Sequence, residues 1–505
     1  MEKKLTICFA GGSRTVRAPE GMTLLEILRR EKIRVAAPCG GHGACGKCRV
    51  ILKDANGTRR VLACRTLLRE DAELSVDSLQ GGVVTQGFLP EPVPTSGRSG
   101  LGAAVDLGTT TIAVEIYDLS DGRLIGRQSA WNAQAAYGAD VITRIQYTID
   151  RPNGLGELQE LVHEQIGDMI RSVGPDPEEL QEILICGNTV MQHICAGLDP
   201  RGLASAPYAP VSLFTENQTG RILFAPCVAS YVGGDITAGL LASGLHRKDG
   251  WSLFLDIGTN GEMALGGKDG FLCCAVASGP AFEGVGITCG MAGTEGAVSR
   301  VCWDGDGPEF ETVGNAQAQG ICGSGLIDLL AVLVRRGIVS ATGRLLPPDL
   351  LPEKYDRLVG EDENGNGIFS LTPDKKIFLS ARDVRQLQLA KAAVAAGIRV
   401  LLQTAGITAD EVDSVVLAGG FGSFLDPAGA AAIGMLPAEL EKKTVSLGNT
   451  SLSGARAALL DLDRRRELRE IQAACRYLDL SSSELFMREY PEQMFFYEEE
   501  ESEWN

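Results

Sequence analysis

The sequence predicts a multidomain α/β protein: a small β-rich domain with four grouped cysteines, then a larger domain in which one strand–turn–strand unit occurs twice. Three observations predict it. Leu255-Asp256-Ile257-Gly258-Thr259-Asn260-Gly261-Glu262 follows the apolar run Trp251 to Leu255, and Val105-Asp106-Leu107-Gly108-Thr109-Thr110-Thr111 follows another. Each places a carboxylate at a strand end before a tight turn, where backbone N–H groups can face phosphate while the carboxylate holds a metal ion. One copy alone also fits an ordinary hairpin turn; two copies indicate a duplicated fold closing on one nucleotide. Between and after them strands alternate with helices, the mark of a layered α/β fold.

The small domain comes first. Leu5 to Phe9 and Ser13 to Arg17 are strand candidates around the pair Gly11-Gly12, and Thr23 caps an amphipathic helix through about Glu31. A glycine-rich loop carries Cys39, His42, Cys45 and Cys48; strands Arg49 to Lys53 and Arg59 to Ala63 follow, with a turn at Asn56-Gly57, and then Cys64. Four thiolates hold either a tetrahedral zinc or an iron–sulfur cluster. Structural zinc usually uses two Cys-x2-4-Cys knuckles and only Cys45/Cys48 forms one, so the glycine-rich loop fits a [2Fe-2S] cluster better. His42 reads as a solvent-side loop residue and Cys8 as packing.

Residues 81–101 form a Gly/Pro linker without apolar periodicity, expected to let residues 1–80 move. Beyond it the first half, 102–250, contains a helix from Leu155 to Val173, the strand Glu182 to Gly187, a helix opened by Gly187-Asn188-Thr189 and another opened by Val232-Gly233-Gly234-Asp235. The second half, 251–490, contains strands Glu262 to Leu265 and Phe271 to Val276. Gly323-Ser324-Gly325 opens a helix, a long small-residue helix runs from Leu387 to Thr404, and strand Ser414 to Leu417 ends in Gly419-Gly420-Phe421-Gly422. The tail, 491–505, ends in acidic residues; Met494 to Tyr497, just before them, are expected to dock on the domain.

The formal net charge of −18 argues against a nucleic-acid surface, and no run of about 18 apolar residues reads as a membrane span. Most of the 14 cysteines lie singly among apolar residues, which reads as buried thiols in a reducing, cytoplasmic compartment. The N-terminus lacks the apolar run of a signal peptide.

Two Asp-Gly-Thr turns, an intervening Gly-Asp and a late strand ending in Gly-Gly resemble the ATPase superfamily of actin, sugar kinases and Hsp70-type chaperones. The strand order and Leu62-Ala63-Cys64-Arg65 resemble a β-grasp ferredoxin, with a loop closer to the adrenodoxin-like form. Together with Tyr137 to Ile145, Ser278-Gly279-Pro280-Ala281-Phe282-Glu283-Gly284 and Gly323 to Asp328, the chain resembles the reductive activators of corrinoid proteins over about residues 4 to 490. The resemblance implies a β-grasp [2Fe-2S] domain joined to a duplicated RNase H-like ATPase. The linker runs almost directly into the ATPase, which leaves no room for a sizeable middle domain that some relatives insert.

By that resemblance Asp106, Gly108, Thr109 and Thr110 form the first phosphate turn and Asp256, Gly258, Thr259 and Asn260 the second, with Mg²⁺ held through water. Asp235 orients the attacking water, or else is a plain helix N-cap. Gly419, Gly420 and Phe421 border adenosine, and Gly323, Ser324 and Gly325 do so from the other side or serve close helix packing. Asp140 and Arg144 read as an intrahelical ion pair, and His163, His193 and His246 as core or surface residues.

The implied function is ATP-dependent transfer of one electron from the cluster to a Co(II) corrinoid protein or corrinoid-dependent methyltransferase, restoring Co(I). A plant-type cluster works near about −400 mV, and a gap of roughly 100 mV disfavours transfer about fiftyfold, which ATP-driven closure can offset. An external low-potential reductant reloads the cluster, and the sequence allows a homodimer. Three other readings stand beside this one: an electron donor of the dehydratase-activator kind, against which the four ligands in one domain argue; a small-molecule kinase with a redox domain; and a redox-sensing ATP-binding regulator.

Overall fold

The computed structural model describes residues 2–9, 12–31, 33, 35, 37, 41, 43, 48–76, 93–216, 220–305, 307–362, 365–422 and 424–496. Its contacts divide the chain into two units, 1–83 with 99–119 and 123–224, and 84–98 with 120–122 and 225–505.

The first unit opens with strands β1 (Glu2–Phe9) and β2 (Gly12–Pro19), helix α1 (Leu24–Arg30), and strands β3 (Arg49–Asp54), β4 (Gly57–Leu62) and β5 (Ala72–Ser75), in the sheet order β2-β1-β5-β3-β4. Its central contact, β1 with β5, is parallel and the other pairs are antiparallel. α1 forms where predicted because Thr23 and Glu26 make a reciprocal capping box, and Leu24, Leu25, Ile27 and Leu28 all bury against the sheet. Cys8, expected to be packing, is half-buried with its thiol toward Glu73.

The same unit continues with β6 (Leu101–Leu107), β7 (Thr111–Asp118) and β8 (Leu124–Trp131), helices α2 (Val141–Asp150) and α3 (Gly154–Val173), β9 (Leu180–Gly187), α4 (Thr189–Ala196) and β10 (Ile222–Phe224). The order is β10-β9-β6-β7-β8, an antiparallel meander with β9 and β10 added in parallel. β6 and β9 lie in the sheet's middle and read as continuous apolar runs, as strands covered on both faces must.

The second unit begins with α5 (Gly234–Ser243), then β11 (Trp251–Ile257), β12 (Gly261–Gly267) and β13 (Gly270–Val276). A side sheet follows, β14 (Ala297–Asp304), β15 (Gly307–Thr312) and β16 (Gly320–Ile321), then α6 (Gly323–Arg335) and the small strands β17 (Val359–Glu361), β18 (Gly367–Ser370) and β19 (Phe378–Ser380). Next come α7 (Ala381–Ala405), β20 (Val412–Ala418), α8 (Gly419–Gly422), α9 (Pro427–Ala432), β21 (Thr444–Ser446), α10 (Thr450–Leu460), α11 (Leu462–Ala474), β22 (Cys475–Tyr477) and α12 (Glu484–Glu492). The main sheet runs β21-β20-β11-β12-β13-β22. Apart from β22 this repeats the first unit strand for strand, with β20 and β21 again parallel to the first strand of a meander. The duplication read from the two Asp-Gly-Thr turns is present in the topology.

α7 starts earlier than its apolar pattern indicated because Ser380 and Asp383 form a capping box ahead of the small-residue run. α5 packs on α10 closely enough that a Cβ at Gly454 would stand 2.1 Å from the Ala238 carbonyl. That contact accompanies the grouping of α5 with the second unit. Residues 93–98, the described end of the expected linker, are held in place: Ser96 N donates to Leu460 O at 3.0 Å, Ser96 Oγ bonds Asp461, and Arg98 donates to Leu459 O.

The tail docks as expected through Phe496. Gln388 donates to Met494 O at 2.7 Å, Lys391 to Phe495 O at 2.5 Å, and Phe496 N to Ala341 O at 2.8 Å. Tyr497 and the acidic end lie outside the described residues.

Candidate functional site

The thiolate site is described in part. Cys48 leads into β3 and Cys64 follows β4, and this antiparallel pair brings their sulfurs to 3.2 Å. A disulfide would be about 2.05 Å, whereas two thiolates on one tetrahedral metal with bonds of about 2.3 Å stand roughly 3.7 Å apart. The separation is too long for a disulfide and shorter than that ligand spacing, so it shows the two thiols in contact and leaves their ligand role an expectation. Cys39, Cys45 and His42 lie outside the described residues. Two glycines of the loop, Gly41 and Gly43, are described. Gly41 and Gly43 take φ of +103° and +75°, and a Cβ at Gly43 would stand 2.3 Å from Arg65 Nε.

The first Asp-x-Gly-Thr turn, in the first unit and expected to face phosphate, is braced by backbone-directed side chains. Asp106 is the penultimate residue of β6, and Leu107 pairs with Ile112 across the turn. Asn132 Nδ2 donates to Gly108 O at 2.8 Å and Asn132 N to Thr110 O at 2.8 Å. Asn188, the N-cap of α4, donates from Nδ2 to Thr109 Oγ1 at 2.9 Å. Arg144 donates to Thr109 O, to Gly138 O at 3.0 Å and to Gln134 Oε1 at 3.3 Å. The expected Asp140–Arg144 ion pair is corrected: Asp140 is the N-cap of α2 and bonds Thr143 N at 2.8 Å, while Arg144 is completely buried beneath the turn. Burial lowers the Arg144 pKa to about 9.

In the second unit β20 lies beside β11 with Ala418 opposite Asp256, which puts Gly419 against the Asp256 carboxylate. A Cβ at Gly419 would stand 2.3 Å from Asp256 Oδ1, and its φ is +82°. Phe421 stacks on Phe282 with centroids 5.1 Å apart and planes 6° apart, and a Cβ at Gly323 would stand 2.7 Å from the Phe421 ring. The structure thus brings Asp256, Gly419, Phe421 and Gly323 together, while Gly420 faces open space. Gly325 serves packing, because a Cβ there would stand 2.2 Å from Val298 O, and the Ser324 hydroxyl donates to Ser299 O at 2.8 Å.

The second turn is held by the Ser278 to Gly284 stretch. Ser278 Oγ donates to Gly258 O at 3.1 Å and Thr259 O at 3.2 Å, and Thr259 Oγ1 donates to Glu283 Oε1 at 2.7 Å. Gly258 N closes the turn onto Asn260 O at 2.8 Å. Directly across the strands from Asp256 lies Glu262, nearly buried. Burial, and after it the charges of Asp235 and Asp256, raise the Glu262 pKa well above the ordinary range, while the Asn260 side chain opposes this by hydrogen bonding. The N-cap of α5 is Gly233, so Asp235 sits within the first turn as a member of this carboxylate group, and the plain N-cap alternative does not hold. In the first unit Ala113 stands opposite Asp106, so the second carboxylate distinguishes the second half.

Sequence reasoning missed Asn132, Asn188, Arg144, Glu262, Ser278 and Glu283 as parts of the two turns. Arg144, Ser278 and Glu283 lay in stretches that carried the family resemblance. Glu262 ends the opening motif, where cross-strand register would have placed it beside Asp256. His193, expected to be a core or surface residue, is buried, with Nδ1 bonding Thr189 O at 2.7 Å and Nε2 accepting from Val211 N at 3.1 Å.

Three family models match the chain: "2Fe-2S iron-sulfur cluster binding domain" over 9–69, "RACo middle region" over 101–248 and "C-terminal domain of RACo the ASKHA domain" over 250–505. The model described as a middle region matches the span read as the first ATPase half, whose sheet repeats that of the second. The chain is 33% identical over 411 residues to the corrinoid activation enzyme RamQ of Eubacterium limosum, covering 77% of this chain and 69% of that protein. It is 25% identical over 433 residues to a [Co(II) methylated amine-specific corrinoid protein] reductase of Methanosarcina barkeri, covering 77% and 76%. Among solved structures it resembles a reductive activator for corrinoid,iron-sulfur protein, at 32% identity and a TM-score of 0.69 over 97% of this chain and 98% of that one. The chain belongs to the RACo family, with a [2Fe-2S] ferredoxin-type domain ahead of an ASKHA ATPase-type domain.

Proposed function

We propose that this chain is an ATP-dependent reductive activator that returns an inactive Co(II) corrinoid protein to Co(I). The observation that carries this reading is the match to a corrinoid activator along 97% of the chain, which spans both the thiolate pair and the braced phosphate turns. A [2Fe-2S] cluster held by Cys39, Cys45, Cys48 and Cys64 would accept one electron from an external low-potential reductant and pass it to Co(II), while ATP goes to ADP and phosphate.

The chain's own residues fit the nucleotide in each unit. In the second, Asp256 would hold a hydrated Mg²⁺ and Asp235 would orient the attacking water. Gly258, Thr259 and Asn260 would face phosphate, and Gly419, Gly420, Phe421 and Gly323 would border adenosine. Gly325 and Ser324 support that wall through β14. In the first, Asp106, Gly108, Thr109 and Thr110 would act likewise. Residues 1–80 would be the electron-carrying part, 102–250 and 251–490 the nucleotide-binding halves and 491–505 the tail. Among the described residues no helix is long and apolar enough to cross a membrane. A homodimer is compatible with these roles.

The test is anaerobic mixing of the reduced protein with a Co(II) corrinoid protein, with and without MgATP, followed by the visible spectrum of Co(I). Co(I) should form only with ATP, and Cys48→Ser should abolish its formation while ATP binding persists. Failure of the wild-type protein with an intact cluster, or activation by the cluster-free variant, overturns the reading.

A further inference from the structure

One short segment of the first unit is grasped from two sides by arginines. On its inner side Asn132 holds Gly108 O and Thr110 O, and Arg144 joins Gly138 O to Thr109 O, so residues 132–144 carry the first phosphate turn. On its outer side Arg29, from α1 of the ferredoxin-type sheet, donates from Nε to Ala136 O at 3.0 Å and from Nη2 to the same oxygen. The Arg29 guanidinium lies over the Tyr137 ring at 4.8 Å, and Tyr137 meets Tyr147 edge-on at 5.0 Å. Arg151 covers Tyr147 at 5.1 Å and reaches Glu26 of α1 at 3.8 Å. A Cβ at Gly41 would stand 3.7 Å from Arg29 Nη2, so the same guanidinium borders the loop that carries the predicted cluster ligands.

The carbonyls of Ala136 and Gly138 are thus held by two arginines, one serving the cysteine-bearing domain and one the phosphate turn. Charge-assisted bonds into a shielded backbone are the strong kind. A shift of the segment that follows the phosphate turn must carry Ala136 O with it, and Arg29 either follows or lets go.

We propose that residues 132–144 are a coupling arm, in which Arg144 positions the first phosphate turn and Arg29 fixes the same arm to the iron–sulfur domain. Nucleotide binding to the turn then strengthens docking of α1, and docking strengthens nucleotide binding by the same factor. This rests on the reading that the turn binds ATP. The direction follows from the geometry, because the arm conformation that braces the turn is the one that Arg29 grips.

The test compares the full-length wild-type protein with Arg29→Ala and Arg29→Lys, using a non-hydrolysable ATP analogue. Affinity is read by calorimetry, and hydrogen exchange is followed in residues 24–31 and 132–144. In the wild type the analogue should slow exchange in both segments. In Arg29→Ala the affinity should fall about fivefold or more, and exchange in 24–31 should no longer respond to the analogue. Arg29→Lys, which keeps the charge but not the two-pronged grip, should fall between. A purely structural Arg29 would leave the nucleotide response at 24–31 intact, and that result, or an unchanged affinity, overturns the proposal. If Arg29→Ala unfolds α1, Tyr137→Leu removes the ring beneath the guanidinium from the other side and should give the same loss; unchanged coupling there overturns it equally. A wild type that binds no nucleotide defeats the proposed function instead.

Discussion

Replacing Lys391 with Met should remove a pH dependence of stability that the wild-type protein carries. Lys391 is completely buried in α7, its ammonium donating to Phe495 O at 2.5 Å and lying 4.9 Å from the centre of the Phe496 ring. Burial lowers its pKa from the ordinary 10.5 to about 7. Between those two values the unfolded chain binds more protons than the native one, so stability rises with pH across that window and is flat below it. For this group alone, moving from about pH 6.5 to about pH 9.5 should stabilise the native state by up to about 3 kcal/mol. The carbonyl and the ring favour the ammonium and make that figure an upper bound. Equilibrium urea unfolding read by hydrogen exchange on α7 peptides measures it as wild type minus Lys391→Met at each pH. Taking the difference cancels the tyrosines and buried thiols, whose raised pKa values act in the opposite direction. A difference that does not change with pH would mean that Lys391 titrates normally and that the docked tail does not confine it.

Two further outcomes follow from the geometry of the second unit and of His193. Gly419→Ala should destabilise that unit and weaken ATP-analogue binding at least about tenfold, since its Cβ would overlap Asp256 Oδ1 at a φ of +82°, whereas Gly420→Ala, with no atom within 4 Å, should fold normally; equal unfolding midpoints would refute the contrast. Burial holds the His193 pKa below the usual range, and its Nε2 already accepts from Val211 N, so stability should fall as pH drops below about 6.5, where the unfolded chain takes the proton first; a ring proton signal that titrates normally by NMR would contradict this.

The overall plan was legible along the chain because its signals are local. Asp106 and Asp256 mark strand ends followed by glycine, and the runs around Leu184 and Leu417 are strands covered on both faces. Thr23 and Asn188 sit at helix starts where a short polar side chain replaces a missing backbone partner. Cysteine spacing likewise requires no knowledge of what lies far away in sequence. Small-residue packing was harder to read. Gly325 and Gly323 are indistinguishable as letters, yet one meets Val298 O and the other the Phe421 ring.

By itself, then, the sequence determined the two-part architecture and the duplication, and it singled out four cysteines and two Asp-x-Gly-Thr turns as candidates, because each depends on spacing within a few residues. Only the tertiary structure decided which groups support those turns. Arg144 followed the helix pattern of an Asp140 partner, but burial under Thr109 turned it to backbone carbonyls. Glu262 became part of a carboxylate group through strand register, and Arg29 met Ala136 across more than a hundred residues of chain. Such contacts are set by how sheets and helices stack, and the energy of a buried charge depends on everything that surrounds it.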